Sequence, residues 1–209
     1  MKYTAFVPDV KVQLTADPSD LVVENAIKNA AIELCRNSWV WREYASATTV
    51  TANEPRIDIE LPAGSDLVTV LTVTLDGLLL DPESGDRLDT LYPRWATDTG
   101  APKRYTQTDM SSLILSPVPD ANYPDALVIY YAVAPKRSAT SLPDWIANDF
   151  WEDIVNGSLA RLMMMSNRPW TDLDNGGMRR RQFDAAIGLA RDSALRALGR
   201  APTRVTAHH

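Results

Sequence analysis

The chain has 209 residues, 45% of them hydrophobic, which is enough to bury a sizeable core in one domain or two small lobes. Its one cysteine, Cys35, excludes an intrachain disulfide and a thiolate zinc cluster, and its only histidines are His208 and His209, at the end where chains usually fray. The net charge is −6 but unevenly spread: residues 1 to 134 carry 10 basic and 19 acidic side chains, residues 135 to 209 carry 11 and 8, and from Arg161 onward the balance is 9 to 4.

An acidic body with a basic end is read either as a nucleic acid partner or as ordinary solvation. No stretch approaches the ~20 apolar residues of a membrane span. The opening MKYTAFVPDVK shows no apolar leader or small-residue cleavage pattern, so the expectation is a protein made in a reducing cytoplasm.

Asp17-Pro18-Ser19-Asp20 reads as an N-cap, a first-turn proline and an acid. Val23, Ile27, Ala30 and Leu34 follow on one helical face, which fades at Asn37 and Ser38. From Thr48 the hydrophobic period becomes two. Val50, Ile57, Ile59 and Leu61 fit short strands, and Leu67 to Leu75 fits a long one. Asp76-Gly77 is a strong hairpin signal, because both central positions of a type I′ turn need positive φ; Leu78 to Leu80 is the return strand. Leu88, Leu91, Tyr92 and Trp95 are spaced for a short helix. Strands resume at Tyr105 to Thr108, Leu113 to Ser116 and Ala126 to Val133, the last apolar enough to lie inside a sheet.

Two amphipathic helices then close the chain. Ser141 is placed to cap the first, with Pro143 and Asp144 in its first turn, and Ile146, Phe150, Ile154, Leu159 and Leu162 form its buried stripe. The elbow SNRPWTDLD ends it, since proline breaks the ladder at Arg168-Pro169-Trp170. An arginine triplet opens the second helix, whose stripe is Phe183, Ile187, Ala190, Ala194 and Leu198. The layout predicts an α+β fold in which one N-terminal and two C-terminal helices (residues 1–47 and 136–199) form a bundle. A β-rich lobe with a hairpin (48–135) is inserted, and 200–209 forms an extended tail.

The residues offer little catalytic chemistry. Without internal histidines there are few candidates for triads, metal sites or general bases. Cys35, beside Leu34 on a helix, reads as a structural thiol with no base near it in sequence. Asp149, Glu152 and Asp153 read as a solvated helix face. Gly176-Gly177 lacks the spacing of a phosphate cradle. No cofactor, metal or catalytic residue is expected.

Two features remain. Trp39, Trp41, Trp145, Trp151 and Trp170 lie in or beside the proposed bundle, which leaves only Trp95 in the middle region. Most of these fit a subunit core, although tryptophan and arginine also anchor subunit contacts. Arg179-Arg180-Arg181 fans across about 200° of a helix, so at most two can serve one flat surface. It is read either as a solvated helix start near Asp172 and Asp174, or as a charged contact with a neighbouring subunit or DNA.

These segments, in this order, resemble the head-to-tail adaptors of tailed bacteriophages, in particular the upper tail-tube component of short-tailed phages. The similar parts are Ala31-Ile32-Glu33-Leu34-Cys35-Arg36 with Trp39-Val40-Trp41-Arg42-Glu43, then the β-rich insertion, then Trp151 to Met165 containing Leu159-Ala160-Arg161-Leu162. The Arg168-Pro169-Trp170 elbow and the last helix, with Phe183-Asp184-Ala185-Ala186-Ile187 and Ala190-Arg191, complete the pattern across nearly the whole chain. The resemblance implies a structural virion protein of the neck and tail, assembled in the host cytoplasm. It implies a dodecameric ring of copies of itself, docked to portal protein above and to a tail nozzle or tube below, with genomic DNA passing through the lumen during ejection and no membrane partner.

On that reading Arg179, Arg180, Arg181 and Trp170 are the candidate subunit interface. Gly199 ends the last helix and Pro202 keeps the chain extended. The segment beyond has few apolar groups and adds little to the subunit's own core, which makes Arg200, Arg204 and Val205 the candidate portal-docking residues. Two other classes stay open: a DNA-binding or packaging accessory protein using the Arg179 to Arg181 helix, and a hydrolase with an unrecognised site.

Overall fold

A computed structural model describes residues 1–197. A 3-10 turn at Tyr3–Phe6 leads into α1 (Val7–Lys11), where Pro8 in the first turn gives up no hydrogen bond and Asp9 suits the positive helix end. α2 (Asp20–Ser38) follows. Its start corrects the sequence reading: the N-cap is Ser19, in extended backbone, and Pro18 precedes the helix. The Lys11 ammonium explains the shift, because it holds the Asp17 carboxylate at 2.7 Å and that of Asp20 at 2.6 Å. Trp39 ends α2 in the left-handed region (φ 56°), its N–H donating to the Cys35 carbonyl at 3.1 Å.

The middle of the chain runs β1 (Arg42–Tyr44), β2 (Thr48–Val50), β3 (Arg56–Asp58), β4 (Ser65–Leu75), β5 (Leu78–Leu79), β6 (Asp81–Pro82) and α3 (Gly85–Leu91). It continues through β7 (Thr99–Gly100), β8 (Arg104–Thr106), β9 (Ser112–Ser116), β10 (Val118–Pro119) and β11 (Tyr123–Pro135). Two helices were expected beyond it. The chain instead forms α4 (Asp144–Asp149), α5 (Trp151–Met163) and α6 (Leu173–Ala197). The fold is therefore α+β, and it divides into two units: Met1–Trp41 with the chain from Ala134 onward, and Arg42–Val133.

In the β unit, the largest sheet has the order β1-β11-β4-β5, with β2 also paired to β11, so the apolar strand β11 lies inside the sheet as its composition requires. A second sheet has the order β3-β9-β8-β6, and β7 pairs with β10 in parallel. Asp76 (φ 49°) and Gly77 (φ 75°) both take positive φ, which is the turn their sequence predicts. Leu67, Leu71, Val73, Leu113, Leu115, Leu127 and Ile129 are buried, and the Tyr131 hydroxyl donates to the Glu60 carbonyl at 2.9 Å. Four expectations shift. The return strand is Leu78–Leu79, the strand expected at Tyr105 to Thr108 is Arg104–Thr106, the short helix stops at Leu91, and Ile59 and Leu61 lie beyond the end of β3, outside any strand. Tyr92 leaves the α region (φ −135°, ψ 65°) because Pro93 follows it, so Tyr92 and Trp95 fall outside α3.

In the helical unit, Tyr3, Phe6, Ile27, Ala30, Leu34, Ile154, Leu159, Leu162 and Phe183 share one buried core. The chain start is tied in by a β-bridge between Lys2 and Ser141 and by the Leu142 N–H donating to the Met1 carbonyl at 2.8 Å. Ser141 is therefore no helix cap. α4 begins after Pro143 with no side-chain cap, and the helix expected to run on from it breaks at Phe150 (φ −119°, ψ 25°). The break turns Trp151 onto Phe6, the rings stacking at 3.9 Å, while its indole N–H donates to Asp9 Oδ2 at 2.8 Å. Gly157 lets the helices meet: a Cβ there would lie 2.9 Å from the Phe183 ring and 3.0 Å from the Ala30 Cβ.

Candidate functional site

The sequence singled out the α5–α6 elbow, the arginine triplet and the chain end. The elbow is held by its own backbone and polar groups. The Thr171 hydroxyl donates to the Met165 carbonyl and accepts from the Arg168 N–H, and the Asp172 N–H donates to the Met163 carbonyl at 2.9 Å. Asp172 Oδ1 accepts from the Asn175 N–H at 3.1 Å, which satisfies an otherwise orphan donor in the first turn of α6. The hydrogen bonds from Asn175 hold the Asp172 carboxyl below its usual range. Trp170 is half-buried against the helical core, and its indole nitrogen is buried with no hydrogen-bond partner.

The triplet does not open α6. The helix starts at Leu173, so the arginines lie in its second and third turns. They have separate environments. Arg179 donates from Nη1 to Asn156 Oδ1 at 2.7 Å and from Nη2 to Gln13 Oε1 at 2.8 Å. With Asp9, Trp151 and Glu152 it lines a cleft of about 390 Å³. Arg180 makes a bidentate pair with Glu33, Nη2–Oε1 at 2.7 Å and Nη1–Oε2 at 3.1 Å, and its Nε donates to Asp184 at 3.0 Å. Arg181 is exposed.

Glu33 is the centre of this arrangement, since it also accepts from Arg161, so one carboxylate on α2 ties α5 and α6 together. Burial opposes its ionised form, but the hydrogen bonds and charges of Arg180 and Arg161 outweigh that and hold it below the usual carboxylate range. Arg180 is pushed up in turn, chiefly by Glu33. Single-sequence periodicity marks Glu33 only as polar. What makes it a hub is the approach of two arginines from 128 and 147 residues away.

The other sequence candidates fall as follows. Cys35 is buried, and burial pushes its thiol up to about 12, which leaves it unreactive as a nucleophile near neutrality. Asp149 and Glu152 are exposed, as a solvated face requires, but Asp153 is half-buried and its pKa is raised by burial and then by Glu152. That corrects the reading of all three as solvated. Leu198, Gly199, Arg200, Arg204 and Val205 lie outside the described residues. Among the described residues no group of three or more His, Cys, Asp or Glu side chains is placed to hold a metal ion, and no helix is long and apolar enough to cross a membrane.

The site is thus a set of polar contacts within the subunit that lock α2, α5 and α6 together, with Arg181 exposed beside them. No curated protein matches the chain closely enough to count as a relative. The model of the SU10 adaptor protein family matches residues 1–206, the same near-complete span over which the order of segments resembled a phage head-to-tail adaptor, and the chain belongs to that family.

Proposed function

We propose that this chain is the repeating subunit of a dodecameric ring that joins the portal vertex of a phage head to its tail and lets the genome pass through its lumen, without catalysis. The observation that carries the reading is the match of an adaptor family to residues 1–206. Membership supports a structural role at the virion neck; ring closure, the portal and tail-nozzle partners and DNA passage are our extension.

The electrostatics agree with a conduit. Each phosphate neutralised by a basic lumen adds salt-dependent affinity that would hold the genome in place, and 19 carboxylates against 10 cations in residues 1–134 avoid this. Ring closure needs a heterologous contact, in which one face of a subunit fits the opposite face of the next. The helical unit, acting as a three-helix bundle, supplies such faces. Arg181 and Trp170 are the parts of the candidate interface with contact capacity left, while Arg179 and Arg180 set the shape of that face. The engagement of Arg179 and Arg180 within the subunit weighs against the DNA-binding alternative, because both guanidinium groups would have to leave existing partners to reach phosphates.

The tail carries the docking step. Truncation after Leu198 is expected to leave the melting temperature nearly unchanged and to abolish or strongly weaken co-sedimentation with portal. Arg200→Glu with Arg204→Glu is expected to weaken it in a salt-sensitive way. Docking of the truncated chain with unchanged affinity moves the portal contact to the helical unit. Steep, salt-dependent retention of duplex DNA by the intact chain would favour the DNA-binding alternative instead.

A further inference from the structure

Residues 42–133 hold 14 acidic and 6 basic side chains. Against that background, Tyr92, Trp95, Lys103 and Arg104 line one groove of about 430 Å³. Arg94 stands beside it, its Nε 3.4 Å from the carboxylate of Asp98, which also lines the groove. Half of the unit's cations therefore gather with two of its aromatic rings.

The groove is also pre-shaped. The Arg104 guanidinium carbon lies 4.0 Å from the centre of the Tyr92 ring, a cation–π contact that restrains both side chains. The Trp95 indole N–H donates to Asp89 Oδ1 at 2.7 Å, so that ring is held before any partner arrives. Gly100 and Pro117 also line the groove and sit close together, since a Cβ on Gly100 would lie 3.3 Å from the Pro117 Cγ. Lys103 is exposed, and among the described residues its ammonium has no carboxylate at ion-pair distance. Tryptophan, tyrosine and arginine are the side chains that dominate contact energies, and fixing them in advance lowers the entropy lost on binding.

We infer that this groove is a docking site for an acidic segment on a second copy of the chain, and so one half of a heterologous contact between copies. The occupant follows from charge. The chain carries 27 carboxylates against 21 cations, so a second copy presents the complementary groups. Nucleic acid fits less well. A phosphate backbone is a continuous polyanion, whereas this groove is bracketed by Asp89 and Asp98 in a lobe of net negative charge, and one or two carboxylates can approach where a duplex is repelled. The inference rests on the proposal that copies of the chain associate.

Carbodiimide cross-linking joins a lysine amine directly to a carboxylate in contact with it. Equal amounts of ¹⁵N-labelled and unlabelled full-length chain, at high concentration and again with portal, are expected to give mixed-isotope peptides linking Lys103 to an Asp or Glu. Lys103→Glu with Arg104→Glu is expected to weaken association about tenfold or more by sedimentation velocity. Lys136→Glu with Arg137→Glu, which changes the net charge equally, is expected to leave it nearly unaltered, and thermal melting checks that each variant folds. If copies associate but Lys103 gives no mixed peptide and the groove variant assembles like the wild type, the groove assignment is wrong while the ring stands. If copies never associate under either condition, both fall. Loss of duplex DNA retention in the groove variant, with association intact, reassigns the groove to nucleic acid.

Discussion

The two units keep their order by different means. In the helical unit, three helices of 19, 13 and 25 residues meet at one point, where Gly157, Phe183 and Ala30 pack and Glu33 receives Arg161 and Arg180. In the β unit only β4 and β11, of 11 and 13 residues, are long, and the remaining strands have two to five residues held by turns and side-chain bonds. A structure with one shared junction fails globally when that junction is damaged; one built from short paired pieces yields locally. Substitutions in the two units should therefore differ in reach as well as in size.

The largest effect is expected from Phe183→Ala, which empties the point where the helices meet. Urea unfolding of the helical unit should show a loss of about 3–5 kcal/mol. A loss below about 1 kcal/mol would mean the helices do not depend on that contact.

Glu33→Gln comes next. It leaves two arginines facing each other without their carboxylate, and because both are about a third exposed the loss is expected at about 1–3 kcal/mol, less than for a fully buried pair. The pH dependence has a definite sign. The folded pKa of Glu33 lies below its unfolded value, so its contribution is complete above the unfolded value of about 4.3 and fades as pH falls through the lowered folded value. The gap between wild type and Glu33→Gln should hold from pH 7 to 5 and shrink below about pH 4. A gap that widens on acidification contradicts the assignment.

Gly77→Val forces a β-branched residue to positive φ at the hairpin and should cost about 1–3 kcal/mol. Its effect should stay within the β unit. Hydrogen exchange should accelerate around β4 and β5 while α2 and α5 keep their protection, and acceleration in both units would remove the distinction drawn between them.

The smallest change is expected from Asp149→Asn with Glu152→Gln, within about 0.5 kcal/mol of wild type by thermal melting. Asp153→Asn should instead raise the midpoint slightly, because burial already disfavours the ionised form of that side chain.

Legibility in the sequence followed the range of the forces involved. The Leu67 to Leu75 strand, the Asp76-Gly77 turn and the Val23 to Leu34 helical face could be read because period and turn chemistry are local. The break at Phe150 could not, because it serves a stack between Trp151 and Phe6 that joins residues 145 positions apart. Nor could the start of α2, where Lys11 occupies the carboxylate expected to act as a cap. The helix at Val7–Lys11 went unread although Pro8 and Asp9 were a visible start signal, because five residues are too few to show a hydrophobic period. At the candidate site the triplet was visible as charge. Its division into Arg179 on Asn156 and Gln13, Arg180 on Glu33 and exposed Arg181 depends on elements that meet only in three dimensions.

Ring closure on the portal is tested by electron microscopy of cognate portal rings mixed with purified full-length chain. The expected image is an added layer coaxial with the portal, closed into a dodecameric ring around an open channel, and absent when the chain is truncated after Leu198. Portal particles that look the same with and without the chain, or an added mass that lies off the axis or blocks the channel, would contradict it.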